Sequence, residues 1–232
     1  MKLRILAFVI AVTTIVACSS NKDSNDPVQK KDLTTQSQKQ QSKQGKYSIK
    51  SATLELSFET EGPAKIKAKN ILIFDDYGNK EYSELKTEAG AMMDVHQVQI
   101  VNNGVYYSIN MNEKTGSESN TPLQPKLYFC EMNEAMKKDK NIKEEGGETI
   151  LGKPATIYTM NDIENDMKAT YSVWQCVPIK IVVSAQGMTV KQTVTKIDET
   201  TPIDPAIFSP PADVKLTKVT PQIESKESDS TK

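Results

Sequence analysis

The chain changes its hydrophobic pattern twice. An apolar run from Ile5 to Ala17 follows a short cationic head containing Lys2 and Arg4. That run falls short of the roughly 20 residues that a transmembrane helix requires, and it fits the apolar region of a secretory signal peptide. From Ser19 to Gly45 the chain is Ser, Asn, Lys, Gln and Asp, with only Val28 and Leu33 to bury. Such a segment cannot offset its ordering entropy and reads as a flexible tether spanning roughly 30 Å. From Lys46 onward the period becomes two: Leu54, Leu56 and Phe58 alternate with Glu55, Ser57 and Glu59, the mark of a half-buried strand. Ala64 to Phe74 reads as a second strand after the turn at Glu61-Gly62-Pro63, and Asp75 to Asn79 marks the next reversal.

Two hairpins are signalled locally. Val95–Val101 and Val105–Met111 flank Asn102-Asn103-Gly104, where Asn and Gly tolerate positive φ. Ile179–Ala185 and Met188–Ile197 flank Gln186-Gly187. No βαβ alternation occurs, so the sheet is expected to be antiparallel with one wet face. A helix is expected over Pro125–Lys140, because Tyr128, Phe129, Met132, Ala135 and Met136 project onto one side and Glu131, Glu134, Lys137 and Lys138 onto the other. A second helical segment is weakly signalled over Tyr82–Met93. These elements predict a mainly β, α+β domain over residues 46–220, a curved antiparallel sheet packed on one or two helices, and a disordered tail over 221–232.

Composition narrows the function. The 29 Lys+Arg balance 30 Asp+Glu, and Arg4 is the sole arginine, so the body has neither the net charge nor the guanidinium fork for reading nucleic acid. The single histidine, His96, stands beside Asp94 with no nucleophile motif near it. No phosphate-binding loop, Gly-x-Ser-x-Gly elbow or His-Glu-x-x-His occurs, and a non-enzymatic protein without cofactor or metal is expected. Asp162, Glu164 and Asp166 lack the glycine and terminal glutamate of a calcium loop and read as a solvated turn. Asp75-Asp76 likewise reads as a turn. Cys130 and Cys176 are either a bridge, whose loop would be worth ~4 kcal/mol, or two free thiols. Leu54, Leu56, Phe58, Phe74, Tyr106, Met132, Met136 and Trp174 are candidates to line an apolar ligand cavity, since such sites are mostly apolar. The same residues could equally form core.

Two stretches resemble known families. Ile15-Val16-Ala17-Cys18 is similar to the lipobox of bacterial lipoproteins. The resemblance implies cleavage after residue 17, acylation of Cys18 and a stable anchor from more than one acyl chain. Ser19, rather than Asp, favours the outer membrane, with the domain facing the periplasm. Further on come Ile150-Leu151-Gly152-Lys153, Val173-Trp174, Pro178-Ile179-Lys180-Ile181, Gln186-Gly187 and Ile203-Asp204-Pro205-Ala206-Ile207-Phe208-Ser209-Pro210. Their order resembles uncharacterised lipoprotein domains of the LolA/LolB-like superfamily, whose members include carriers and receptors of lipoproteins. That implies an incomplete β-barrel wrapped round helices and a lipid or other apolar ligand. The soluble carrier has no anchor and uses an arginine that this body lacks, so a membrane-tethered relative is expected rather than the carrier itself. The rival expectation is an interaction module that docks a protein partner and has no ligand cavity.

Overall fold

The computed structural model describes residues 45–63, 65–88, 94–122, 127–163 and 165–219. The expected signal peptide, Cys18, the expected tether up to residue 44 and the expected tail from residue 220 lie outside them. Among the described residues the fold is mostly β: one curved, unclosed sheet of 12 strands with one short helix. The first meander comprises β1 (Ala52–Glu61), β2 (Lys67–Asp75), β3 (Lys80–Thr87), β4 (His96–Asn102), β5 (Val105–Asn110) and β6 (Thr115–Ser119). The second comprises β7 (Ile142–Ile150), β8 (Lys153–Asp162), β9 (Met167–Trp174), β10 (Val177–Ala185) and β11 (Met188–Asp198). β1 pairs with β11 and joins the two meanders, while β7 forms one edge. At the other edge, β12 (Lys215–Lys218) pairs with β6 in parallel, the one departure from the antiparallel expectation among the described strands.

Both expected hairpins form. Asn103-Gly104 joins β4 to β5 and Gln186-Gly187 joins β10 to β11, all four residues with positive φ. Three bulges, at Glu55/Leu56, Glu144/Gly146 and Pro178/Lys180, interrupt the ladders, and each extra residue bends its strand.

The helical expectations need correction. Of the expected helix over Pro125–Lys140, residues 125 and 126 lie outside the described residues, and within 127–140 only α1 (Glu134–Asp139) is helical. Asn133 caps it, its side chain accepting from the Met136 N–H at 2.9 Å, which starts the helix late. Cys130 is covalently tied to Cys176, so residues 127–132 run across the sheet instead of coiling along it. Cys130 thus lies outside the helix, and Cys176 sits in the β9–β10 turn with positive φ. Tyr82–Thr87 is strand β3 rather than helix, because Glu81, Ser83 and Leu85 face one way and Tyr82, Glu84 and Lys86 the other. Residues 89–93 lie outside the described residues.

The apolar side of the sheet changes along its width. Around β1 and β7–β11 the concave face carries the core. One cluster there holds Leu54, Leu56, Phe74, Trp174, Val177 and Ile179; a second holds Phe58, Phe129, Tyr171, Ile181 and Val183. On β4–β6 the apolar residues Val98, Ile100 and Ile109 point to the opposite, convex face. There the chain after β11 returns and seals them with Ile203, Phe208, Val214 and Leu216. Gly116 makes the seal close: a Cβ there would stand 2.7 Å from the Ser108 carbonyl oxygen.

Candidate functional site

Two features converge on the concave face. At one end, residues 46–48 are strapped across the sheet. Tyr47 N–H donates to the Tyr77 carbonyl and Ser48 N–H to the Gln175 carbonyl, each at 3.1 Å. Lys46 Nζ lies 3.6 Å from Glu81 Oε1, both side chains well buried. The same ammonium sits 5.2 Å from the Tyr128 ring centroid and 5.9 Å from that of Tyr106. Tyr47 packs on Phe74 at 4.4 Å between centroids. Burial first, and then the Glu81 charge and its hydrogen bond, raise the Tyr47 phenol well above its ordinary range. Burial followed by the Glu81 charge does the same to Tyr128. Ser48 Oγ lies 3.2 Å from Cys130 Sγ and 3.3 Å from Cys176 Sγ, so the disulfide stands beside this strap. The cluster is a clasp: it holds the Glu81 carboxylate against the Lys46 ammonium.

Beyond the clasp the concave face splits by polarity. The register aligns Ser83 with Gln99, Gln99 with Ser108 and Ser108 with Ser117 in one row across β3–β6. Leu85, Gln97 and Asn110 form the next row. All seven are partly exposed. Buried Asn70 accepts from Ser83 Oγ at 3.2 Å and, opposite Leu85, continues the second row into β2. On the other side of β1 the same face is apolar. Within that apolar wall Gln192, opposite Phe58 and Ile181, is buried with no hydrogen-bond partner for its side-chain oxygen. An unmet buried acceptor costs about 1–3 kcal/mol and points to a donor brought by water or ligand.

The expected cavity residues are divided between these regions. Leu54, Leu56, Phe74 and Trp174 are buried in one core cluster, and Phe58 lies in the second with Met132 packed against it. Lys153 lies over the Trp174 ring at 4.7 Å. Tyr106 belongs to the clasp. Met136 is on α1, which has no buried residue. Gln97, Gln99, Ser108 and Ser117 did not stand out as site residues in the sequence. Their signal is the alternation His96-Gln97-Val98-Gln99-Ile100, which marks one polar face without saying which way it looks.

The remaining candidate chemistry is local. Asp162 accepts from Asn165 N–H at 3.1 Å and caps its own turn. Asp76 opens the 3-10 turn Asp76–Gly78. Among the described residues no three His, Cys, Asp or Glu side chains are grouped to hold a metal ion. No helix among them is long and apolar enough to cross a membrane.

This geometry defines a half-barrel class: an open antiparallel sheet with a strapped concave face. No family model matches the chain, and no curated protein matches it. Similar solved structures include a LolA superfamily protein from Nitrosomonas europaea, at TM-score 0.35 and 10% identity, covering 72% of this chain and 93% of that one. LprF from Mycobacterium bovis is similar at TM-score 0.32 and 12% identity, covering 71% of this chain and 93% of that one. MucB, solved in complex with MucA(peri), is similar at TM-score 0.43 and 10% identity; the match covers 73% of this chain and 57% of MucB.

Proposed function

We propose that this chain is a non-enzymatic lipoprotein of the bacterial envelope. Acylated Cys18 tethers it, in this reading, to the outer membrane, and its half-barrel faces the periplasm. The concave face binds a lipid or another apolar ligand that also carries a polar group. The carrying observation is the division of that face: an apolar wall containing the unpartnered Gln192 oxygen, beside partly exposed Gln97, Gln99, Ser108 and Ser117. An amphipathic molecule matches both halves, whereas a purely apolar one leaves the amides and hydroxyls unpaired. Phe58 and Met132 border the apolar side in this reading, while Leu54, Leu56, Phe74 and Trp174 support it from the core.

Native mass spectrometry of the full chain, extracted from the membranes of its host in mild detergent, tests the proposal. Co-purified acyl-bearing adducts that diminish in Gln97→Leu/Gln99→Leu support it. Ligand-free protein from several membrane-bearing hosts overturns it in favour of a protein-docking module. The anchor is tested separately: Cys18→Ser, exported normally, is expected in the soluble fraction.

A further inference from the structure

The convex face carries a second feature, independent of the concave one. Lys69, Ile71, Glu84, Lys86, Thr87 and Glu88 line an open groove of about 550 Å³. Lys69 on β2 stands directly opposite Lys86 on β3, and Lys86 directly opposite His96 on β4. Like charges in directly opposed cross-strand positions repel, and sheets ordinarily set a carboxylate against such a pair. Neither lysine has an ion-pair partner among the described residues. Glu84 faces the same groove, but its carboxylate is committed elsewhere: Tyr82 Oη donates to Oε2 at 3.0 Å, and His96 Nε2 contacts Oε1 at 2.5 Å. Two exposed lysines therefore flank a hollow that Ile71 also lines, and of its two carboxylates Glu84 is already bonded to Tyr82 and His96.

We propose that this groove binds a phosphate group between Lys69 and Lys86, with the apolar portion of the molecule lying on Ile71. Lysine acts at phosphate as a compact point charge, so two opposed ammonium groups suit a tetrahedral anion without any arginine fork. The groove volume lies within the ordinary range for small-molecule sites. Glu88 at the rim opposes the anion and sets an upper limit on affinity.

Calorimetric titration of the purified full chain tests this with two probes, inorganic phosphate and short-chain dihexanoyl phosphatidylglycerol. Saturable binding is expected, weakened about tenfold by Lys69→Gln or Lys86→Gln and unchanged by Lys143→Gln, a lysine on β7. Glu88→Gln is expected to tighten it. Equal affinity for the two probes identifies a soluble phosphate compound as the ligand type; preference for the lipid, reduced by Ile71→Ser, identifies a phospholipid headgroup. Removing either lysine also relieves the repulsion, so thermal midpoints without probe should hold or rise, which separates lost binding from lost folding. Absence of binding by both probes, or binding that survives the double lysine variant, overturns the proposal.

Discussion

Glu81 is the most deeply committed charge in the molecule, with 2% of its side chain exposed against 12% for Lys46. Taking a carboxylate and an ammonium out of water is repaid only while they face each other. Glu81→Ala or Lys46→Ala therefore removes the opposite charge from a buried ion and is expected to destabilise the fold by about 3–5 kcal/mol. The double variant Lys46→Met/Glu81→Met should recover most of that loss, and urea unfolding of the three variants measures both effects. Four tyrosines give a second prediction. Tyr47, Tyr82, Tyr128 and Tyr171 all have phenols raised above their ordinary range, burial being the first cause in each. A phenol raised in the fold favours the neutral form. The stability it contributes is thus complete below the unfolded pKa of about 10 and declines as pH climbs beyond it. Absorbance titration near 295 nm should find these four ionising late and together with unfolding, and a set of eight ordinary phenols would refute it. Little of this was legible beforehand: in Glu81-Tyr82-Ser83-Glu84-Leu85 polar residues occupy both faces, so the alternation carries no sign of which one is buried.

At the scale of elements, hairpins were readable and the helix was not. Asn103-Gly104 and Gln186-Gly187 encode their turns in two adjacent residues, since the chain there must adopt positive φ. The apolar periodicity from Tyr128 to Met136 had a different origin. Phe129 points into the sheet core, 5.2 Å from the Tyr158 ring and 5.3 Å from that of Tyr171, and it does so from a turn that Glu131 N–H closes on the Tyr128 carbonyl at 3.2 Å. A covalent bond between residues 46 apart in sequence decided the matter, and no local propensity reports such a bond. The disulfide pins this crossing segment beside the strap at residues 46–48. Its loss through Cys130→Ala/Cys176→Ala is expected to cost about 4 kcal/mol by the loop-entropy relation. Hydrogen exchange should then rise first in residues 127–133 and in the strap. Uniform exchange across both meanders would mean that the bond stabilises the whole fold and not this junction. Asn133→Ala removes only the cap, and a loss of about 1 kcal/mol confined to α1 is expected in the same measurement.

For the molecule as a whole, the decisive arrangement is that the sheet buries opposite faces in its two halves. Leu54, Leu56, Phe58 and their partners close the concave side, whereas Val98, Ile100 and Ile109 look outward and depend on the returning chain. This exchange leaves the concave side of β3–β6 to Ser83, Gln97, Gln99 and Ser108, and so creates the polar half of the proposed site. Period-two reading recovers the strands but not the exchange, because a strand pattern is the same whichever face is inward. The returning chain is held by the pairing of β12 with β6, by Asn102 Nδ2 donating to the Phe208 carbonyl at 3.2 Å, and by the Lys114–Asp213 pair, while Asp204 accepts from the Ala206 N–H at 2.9 Å and shapes its own turn. Phe208, 1% exposed, is its largest apolar anchor. Phe208→Ala is expected to cost about 3–5 kcal/mol, as truncation of a buried aromatic does. The loss should be local. Amides of β12 and of β6 lose protection, Val98, Ile100 and Ile109 become accessible to an apolar dye, and the second meander keeps its protection. If β12 stays protected while β9–β11 loosen, the seal is not an independent lid, and the two halves of the sheet stand or fall as one cooperative unit.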